Sequence, residues 1–280
     1  MDNISNTQNI TTIDTDVPPD MRHMVIGNMP ELPYAVDEAL NRLRINLEFL
    51  GNERKKIMVV SSVPDEGKSF ISIMLWRKLA ESGAKSLLID ADLRKSVTLK
   101  KYQMAAADEG KIRGLSEYLA GSCKLKDIIF KTDIGNGYVI PNKENAPRPT
   151  LLLQNGKLKE LLDETDESYD RIILDVPPLD VVSDGEMIGS FCDGAILVVR
   201  AGMTHRLIVR NCIRQLERAG CPLLGIVLSR AESGGSGYYS KRYGHYYGKR
   251  YGRGYGYGYG YGYGYGYGVY GNNEYYTENK

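Results

Sequence analysis

The amino-acid sequence predicts an α/β fold with a doubly wound, mostly parallel sheet, and two observations support this prediction. Short β-rich apolar runs alternate with helical patterns from residue 57 to residue 228. The runs "AILVV" and "GIVL" contain no polar alternate, as expected of parallel strands covered by helices on both faces. In such a sheet, ligands bind at the carboxyl ends of the strands.

The individual elements follow from hydrophobic period and from turn residues. Gly83 and Gly220 stand where helix C-caps are expected, just before strands. In chain order, the predicted strands are 57–60, 86–89, 137–140, 171–174, 195–199 and 223–228, and the predicted helices are 70–81, 151–162 and 204–219.

Composition restricts the class of protein. With 280 residues, 42% hydrophobic and 25% charged, the chain is too apolar to be disordered or fibrous as a whole. A net charge of +1 argues against a general nucleic-acid binder, so no nucleic-acid partner is expected. The four cysteines show no C-x-x-C spacing, and no apolar stretch approaches the length of a membrane span. We therefore expect a cytoplasmic protein with reduced thiols.

The chain divides into three predicted parts. Residues 1–33 are polar and acidic, and we expect a flexible leader. Residues 34–232 form the predicted domain, which begins with an amphipathic helix over 34–50 whose apolar stripe needs a partner surface. Residues 233–280 lack apolar periodicity, and their alternating Gly and Tyr predict a disordered tail.

The tail concentrates the tyrosines and carries a positive charge. It holds six Lys/Arg and two Glu, for a net charge of +4, whereas the rest of the chain is mildly acidic. Sixteen of the 21 tyrosines lie there: Tyr238, Tyr239, Tyr243, Tyr246, Tyr247, Tyr251, Tyr255, Tyr257, Tyr259, Tyr261, Tyr263, Tyr265, Tyr267, Tyr270, Tyr275 and Tyr276.

A phosphate-binding loop follows the first predicted strand. The segment "SSVPDEGKSF" ends in G-K-S and runs into a helix, which is the context that a phosphate loop requires. Lys68 can reach the β- and γ-phosphates, and Ser69 can bind Mg²⁺, whereas Ser61 replaces the usual first Gly. The predicted nucleotide-binding residues are Pro64, Asp65, Glu66, Gly67, Lys68, Ser69 and Phe70.

Acidic residues end two further apolar strands. "LLIDADLR" places Asp90 and Asp92 at the end of one strand, and "RIILDVPP" places Asp175 at the end of another. Carboxylates at this edge can bind Mg²⁺ and polarise an attacking hydroxyl, as phosphoryl transfer requires. A single Asp in such a position is more often a turn or N-cap residue. Three of them beside a phosphate loop predict a phosphoryl-transfer site.

These motifs resemble those of a known family. "SSVPDEGKS", "LLIDADLR" and "IILDVPP" are similar to the Walker A, Walker A′ and Walker B motifs of the bacterial protein-tyrosine kinases of the CpsD/CapB type. The resemblance extends over residues 38–230, through "GLSEYLAG", "APRPTLLLQN" and "CDGAILVVRAG". It implies a P-loop ATPase fold related to MinD and ParA.

The resemblance also implies an activity. It indicates an ATP- and Mg²⁺-dependent kinase that phosphorylates the tyrosines of its own tail, between neighbouring subunits, and so regulates capsule or exopolysaccharide polymerisation and export. Lys68, Asp90, Asp92 and Asp175 are then catalytic. Ser69, Asp92 and Asp175 are then the metal ligands, and either Asp90 or Asp92 orients the incoming hydroxyl.

The family resemblance further implies partners. A transmembrane polysaccharide chain-length regulator activates the kinase at the inner face of the plasma membrane, a tyrosine phosphatase reverses the reaction, and subunits assemble into a ring-like homo-oligomer. The family's E-x-x-R-x-x-R oligomerisation motif corresponds here to "EALNRLR". Glu38 and Arg44 match this motif, whereas Asn41 replaces its first Arg and Arg42 is adjacent.

Two other functions are compatible with parts of the sequence. A MinD/ParA-type partitioning ATPase shares the fold, but it carries a signature Lys early in the phosphate loop, where this chain has Ser61 and Ser62. The Tyr/Gly/Arg tail also suits a non-enzymatic RNA-binding or condensing segment, because aromatic and Arg side chains stack on bases.

One further pattern concerns the last predicted helix. Its arginines recur at every fourth position, which is most often a solvated face, with an interface to an acidic partner helix as the alternative. They are Arg206, Arg210, Arg214 and Arg218.

Overall fold

A computed structural model describes residues 21–108 and 110–231. Its contacts divide the chain into two units, 1–231 and 232–280, and only the first contains described residues. The predicted tail and its sixteen tyrosines therefore lie outside the described residues, as does the predicted leader over residues 1–20.

Strands and helices alternate along the described chain. The strands are β1 (Arg22–Ile26), β2 (Lys56–Ser61), β3 (Ser86–Asp90), β4 (Met104–Ala106), β5 (Phe130–Thr132), β6 (Gly137–Ile140), β7 (Arg171–Asp175), β8 (Gly194–Arg200) and β9 (Leu223–Ser229). The helices are α1 (Tyr34–Glu48), α2 (Lys68–Glu81), α3 (Thr98–Lys101), α4 (Leu115–Leu119), α5 (Pro149–Leu153), α6 (Lys157–Asp166), α7 (Asp184–Gly189) and α8 (Arg206–Arg218), with a 3₁₀ turn at Leu125–Asp127.

The strands form a single mixed sheet in the order β4-β1-β5-β6-β3-β7-β2-β8-β9. Every pair is parallel except β1 with β4 and β5 with β6. Strands β3, β7 and β2, which precede the predicted acidic and phosphate-binding motifs, are neighbours at the centre. Their carboxyl ends therefore meet at one edge, and the predicted doubly wound sheet is confirmed.

Two apolar cores cover the two faces of the sheet. Ile173 of β7 points into the core formed with α1 and α2, whereas Ile172 and Leu174 point into the core formed with α4 to α8. This double burial explains why the central strands contain uninterrupted apolar runs. Trp76 of α2 is fully buried, and its indole N–H donates to the carbonyl of Ser86 at 3.1 Å.

The predicted flexible leader is wrong for residues 22–26. These residues form β1, which pairs in parallel with β5 and antiparallel with β4. Met24 and Ile26 are buried in the core shared with α1 and α2. A five-residue strand that begins with Arg22 and His23 offers too little periodicity to be recognised, since its burial comes from neighbours more than 75 residues further along the chain.

Two helix predictions differ from the structure in detail. The single helix predicted over 151–162 is two helices, α5 and α6, because Gly156 between them adopts a left-handed conformation with φ of 84°. The amphipathic helix predicted over 34–50 is present as α1, with Leu40 and Leu47 buried. Among the described helices, none is both long enough and apolar enough to cross a bilayer.

Candidate active site

The phosphate loop joins β2 to α2 at the carboxyl edge of the sheet. Its backbone turns at Asp65, with φ of 63°, and at Gly67, with φ of 95°. Positive φ is strained for a residue with a side chain, so Asp65 shows that the surrounding contacts impose the shape of the loop. Lys68 opens α2 directly after Gly67. The loop therefore directs its backbone N–H groups and the positive end of the helix dipole toward one point, as phosphate binding requires.

Glu66 holds this loop from within. Its side chain is fully buried and accepts hydrogen bonds from the backbone N–H of Val63 at 2.9 Å, from the backbone N–H of Arg200 at 3.0 Å and from the hydroxyl of Thr204. The Ser229 hydroxyl donates to the carbonyl oxygen of Glu66 at 2.5 Å. Glu66, predicted to bind nucleotide, thus turns its carboxylate into the protein and ties the loop to the ends of β8 and β9.

Ser61 explains how the loop tolerates the loss of its first Gly. The side chain is fully buried, and its hydroxyl donates to the carbonyl of Val63 at 2.8 Å. The hydroxyl is therefore satisfied inside the loop and does not occupy the space where phosphate would bind.

The other predicted loop residues have different environments. Pro64 and Asp65 are exposed, whereas Ser69 is partly buried at the start of α2. Phe70 packs against the core on the α1 and α2 face, so its side chain contributes to the core and only its backbone belongs to the loop.

Lys68 lies at the centre of a charged cluster. Its ammonium is 3.0 Å from Asp92 Oδ2, 3.4 Å from Asp175 Oδ1 and 3.4 Å from Ser69 Oγ. Burial lowers the pKa of Lys68, but the carboxylates of Asp175 and Asp92 more than offset this, so the pKa is raised overall. The fold therefore brings Lys68 and Asp175 together, although 107 residues separate them in the sequence.

Asp90 lies deeper and shapes the loop that presents Asp92. It pairs in register with Asp175 of β7, and its carboxylate accepts from the hydroxyl of Ser96 at 2.7 Å and from the backbone N–H of Asp92 at 3.3 Å. Asp92 in turn accepts from the backbone N–H of Lys95 at 2.9 Å. Burial, followed by the carboxylate of Asp175, raises the pKa of Asp90 to about 7.

Sequence reasoning missed several residues that support the site. The Ser72 hydroxyl lies 3.1 Å from Asp175 Oδ1, one helical turn beyond Lys68, and helical spacing could have revealed it. Arg94 forms a bidentate ion pair with the buried Asp184, at 2.7 and 3.0 Å, and also donates to the hydroxyl of Thr150 at 3.1 Å. No sequence pattern joins Arg94 to Asp184, because 90 residues separate them.

The predicted oligomerisation residues lie on α1. Arg42 pairs with Glu38 at 3.5 Å, and Arg44 pairs with Glu48, all within the same helix. Asn41, which replaces the motif's first Arg, donates to Asp37 at 3.3 Å. These side chains are partly or fully exposed, and their part in assembly remains a prediction.

The donor set fits a magnesium ion. Oxygen atoms of Asp92, Asp175 and Ser69 all lie within 3.4 Å of the Lys68 ammonium, and hard oxygen donors are the ligands Mg²⁺ prefers. Within the described part of the chain, no group of three His, Cys, Asp or Glu side chains could hold a metal by itself. A small set of protein ligands completed by water and phosphate oxygens is typical of Mg²⁺ in nucleotide sites.

The fold and this edge of the sheet define a P-loop nucleotide-binding protein of the kind that MinD represents. A family model described as an AAA domain matches residues 54–201. The chain is 38% identical over 211 residues to the tyrosine-protein kinase CpsD of Streptococcus agalactiae, covering 74% of this chain and 90% of the relative. The chain belongs to the bacterial tyrosine-protein kinase family, and it is a tyrosine-protein kinase.

A longer relative and solved structures support the assignment. The Escherichia coli tyrosine-protein kinase etk is 33% identical over 205 residues, and this region is 28% of that protein's length. The kinase domain of the Escherichia coli tyrosine kinase ETK superposes with a TM-score of 0.66 at 32% identity, covering 76% of this chain and 86% of that chain. MinD of Pyrococcus horikoshii, solved with Mg-ADP, gives a TM-score of 0.55 at 26% identity over 64% of this chain and 72% of that chain.

Proposed function

We propose that this tyrosine kinase uses Mg-ATP to phosphorylate the tyrosines of its own C-terminal tail, between subunits, over the segment from Tyr238 to Tyr276. The supporting observation is the cluster in which Lys68 meets Asp92 and Asp175 at the end of the phosphate loop. The chain itself supplies an abundant acceptor, since sixteen tyrosines follow residue 237.

The proposed reaction exchanges one P–O bond for another. The bond between the γ-phosphorus and the β,γ-bridging oxygen of ATP breaks, a bond from that phosphorus to the tyrosine oxygen forms, and ADP leaves. The phenolic proton passes to a carboxylate or to water. Because the ordinary pKa of tyrosine is about 10, the hydroxyl needs a hydrogen-bond acceptor at the moment of transfer.

Each residue of the cluster has a proposed role. Lys68 leaves its carboxylate partners and neutralises charge on the transferred phosphoryl group, whereas Ser69, Asp92 and Asp175 would hold Mg²⁺, which orients the phosphates and offsets their charge. Ser72 holds Asp175 in place through its hydroxyl contact.

The two acids after β3 have different hydrogen-bonding environments. Asp90 already accepts from Ser96 and from the backbone of Asp92, so it positions the loop. Asp92 accepts from the backbone with Oδ1 and faces Lys68 with Oδ2, and we infer that it orients the incoming hydroxyl in addition to its place among the proposed Mg²⁺ ligands.

The proposed function includes a cellular setting that the family resemblance suggests. The kinase acts at the inner face of the plasma membrane with a transmembrane polysaccharide chain-length regulator, and a phosphatase removes the phosphates. The family resemblance suggests a role in capsule or exopolysaccharide synthesis, and a homo-oligomer would place one subunit's tail at another subunit's site.

The test is to incubate the purified full-length chain with Mg-ATP, alone and with the cytoplasmic segment of the membrane regulator. Intact mass and phosphopeptide mapping should show successive additions confined to the tail tyrosines. Lys68→Met should abolish them, whereas Lys159→Met, which removes an exposed lysine paired with Asp163, should not.

Mixing subunits tests transfer between them. Lys68→Met protein of different mass should become phosphorylated when active protein is added. ATP hydrolysis without tyrosine modification, even with the regulator present, would instead favour a partitioning-type ATPase.

A further inference from the structure

The outer face of α8 carries a row of arginines that the kinase site does not use. Because the four recur at every fourth residue, they fall on one side of the helix, and each of them is exposed. Cys212 and Leu216 are buried on the opposite side, against the sheet. We call Arg206, Arg210, Arg214 and Arg218 the arginine ridge.

The arginine ridge lacks ion-pair partners within residues 21–108 and 110–231. Within the ridge, Arg218 Nε donates a hydrogen bond to the backbone carbonyl of Arg214 at 3.3 Å. Two acids lie near its C-terminal half, where Asp180 and Glu217 line a pocket of ≈ 670 Å³ with Arg214 and Arg218. The four arginines therefore outnumber the two acids, and neither acid forms an ion pair with the arginine ridge. Such a surface suits an extended anionic partner.

We propose that the arginine ridge is a docking surface for the phosphorylated tyrosine segment 254–268 of a second copy of this chain. The proposal rests on the proposed function, because that activity supplies the phosphates. It assigns a binding role to the outer face of α8.

The spacing of charges supports this partner. Arginines four residues apart on a helix are separated by about 6 Å, and the four span about 18 Å. In the segment 254–268, tyrosine alternates with glycine, so each second residue is Tyr. Residues two apart in an extended chain are separated by about 6.7 Å, and four such tyrosines span about 20 Å. The long arginine side chains can absorb a difference of about 2 Å, so each guanidinium can meet one phosphate.

The sign of the charge makes docking depend on phosphorylation. The unmodified segment 254–268 consists of Gly and Tyr and carries no charge, and the tail as a whole carries a net charge of +4, so the unmodified tail has no net attraction to the arginine ridge. Each phosphate adds about −1.5 to −2, so three modifications reverse the charge of the tail. Arginine recognises phosphate through two parallel hydrogen bonds, which favours phosphotyrosine over a diffuse negative charge.

The test uses synthetic peptides of sequence 254–268 and the full-length Lys68→Met chain, whose own tail stays unphosphorylated. One peptide carries phosphates at Tyr257, Tyr259, Tyr261 and Tyr263, at alternate positions. An isomer carries the same four phosphates at Tyr255, Tyr259, Tyr263 and Tyr267. Fluorescence anisotropy should show about threefold tighter binding of the first peptide, because only its spacing matches the arginine ridge.

Two quadruple variants complete the test. Changing all four ridge arginines to Gln should weaken binding of the first peptide about tenfold, since each exposed charge pair contributes modestly. The matched control removes four exposed lysines elsewhere by Lys→Gln substitution and should leave the affinity within about twofold. Those lysines are Lys100, Lys111, Lys124 and Lys159.

Three outcomes would overturn the proposal: equal affinity of the two isomers, equal affinity of the ridge and control variants, or a ridge variant that loses binding to phosphatidylglycerol vesicles but keeps peptide affinity. The last outcome would indicate a lipid surface instead. Because the phosphates are synthetic, the result stands whether or not the chain phosphorylates its own tail. Failure of this proposal is therefore distinguishable from failure of the proposed function.

Discussion

The two ends of the sheet hold buried cations in opposite ways. At the carboxyl end, Lys68 is held by the carboxylates of Asp92 and Asp175. At the amino end, Arg171 donates to the backbone carbonyls of Asp170 and Gly51 at 2.8 and 3.2 Å. Both cations are largely buried. The first is surrounded by groups that a metal ion or phosphate can take over, whereas the second is surrounded by fixed backbone.

This difference distinguishes Lys68, a cation placed to bind phosphate, from Arg171, a cation that stabilises the fold. A carboxylate can exchange an ammonium for Mg²⁺, so Lys68 is free to move to a phosphate when nucleotide arrives. A backbone carbonyl at the start of a strand has no such alternative, so the bonds of Arg171 serve only to join β7 to the segment before β2. Substitutions at the two ends should therefore fail in different assays.

The largest expected effect is the contrast between Lys68→Met and Arg171→Met. Lys68→Met should lower phosphotransfer by about 10²-fold or more while the protein stays folded, because charge on the phosphoryl group is no longer neutralised. Arg171→Met should lower the free energy of unfolding by about 2–4 kcal/mol, because two backbone carbonyls lose their donor. Kinase assays at 20 °C and thermal unfolding measure the two effects. A folded Arg171→Met protein without kinase activity would contradict the distinction between the roles of Lys68 and Arg171.

A second large effect is expected at Glu66. Glu66→Ala removes the acceptor of two backbone N–H groups and of the Thr204 hydroxyl, and it should weaken nucleotide binding by about tenfold through loss of the loop's shape. Titration with labelled ADP measures this. The matched control is Glu81→Ala, which removes an exposed partner of Arg77 and should leave nucleotide affinity unchanged. Equal effects of the two variants would contradict the role assigned to Glu66.

A moderate effect is expected at Arg94. Arg94→Lys cannot reproduce the two-pronged contact with Asp184, so stability should fall by about 1–2 kcal/mol. Arg42→Lys, at the exposed pair with Glu38, should change it by less than about 0.5 kcal/mol. Urea unfolding compares them. Identical unfolding midpoints for the two variants would show that Asp184 does not need the bidentate contact with the Arg94 guanidinium.

The smallest effect concerns thiol reactivity. Burial raises the pKa of Cys212 to about 11 and that of Cys221 to about 12, and burial also raises the pKa of Cys192. A raised pKa leaves little thiolate at pH 8, so these thiols should react only after unfolding. The partly exposed Cys123 should react first in the native protein. Alkylation followed by peptide mapping checks the order, and early labelling of Cys221 would show that the amino end opens.

The central fold was predictable because its signals are local. Apolar runs in β2, β3, β7 and β8 mark strands by themselves, and the phosphate loop follows one of them. The peripheral strands β1, β4 and β5 are three to five residues long and depend on one another for burial, so no single segment reveals them.

The sequence could predict only those site residues that lie at the carboxyl ends of strands or directly after them. Lys68, Asp90, Asp92 and Asp175 could be brought to one edge by topology alone. The inward turn of Glu66 could not be predicted, because two of its three donors belong to residues 134 and 138 positions away. A sequence specifies such a contact only through the completed fold.

The strand β1 has a mechanical consequence for α1. With β1 before it and β2 after it, α1 is anchored at both ends and lies along α2, where Lys78 pairs with Asp37 at 2.5 Å. Helix α2 begins at Lys68 itself. The ion pair joins the first turn of α1 to the last turn of α2. A displacement of α1 would therefore act on α2 at the end opposite the phosphate loop.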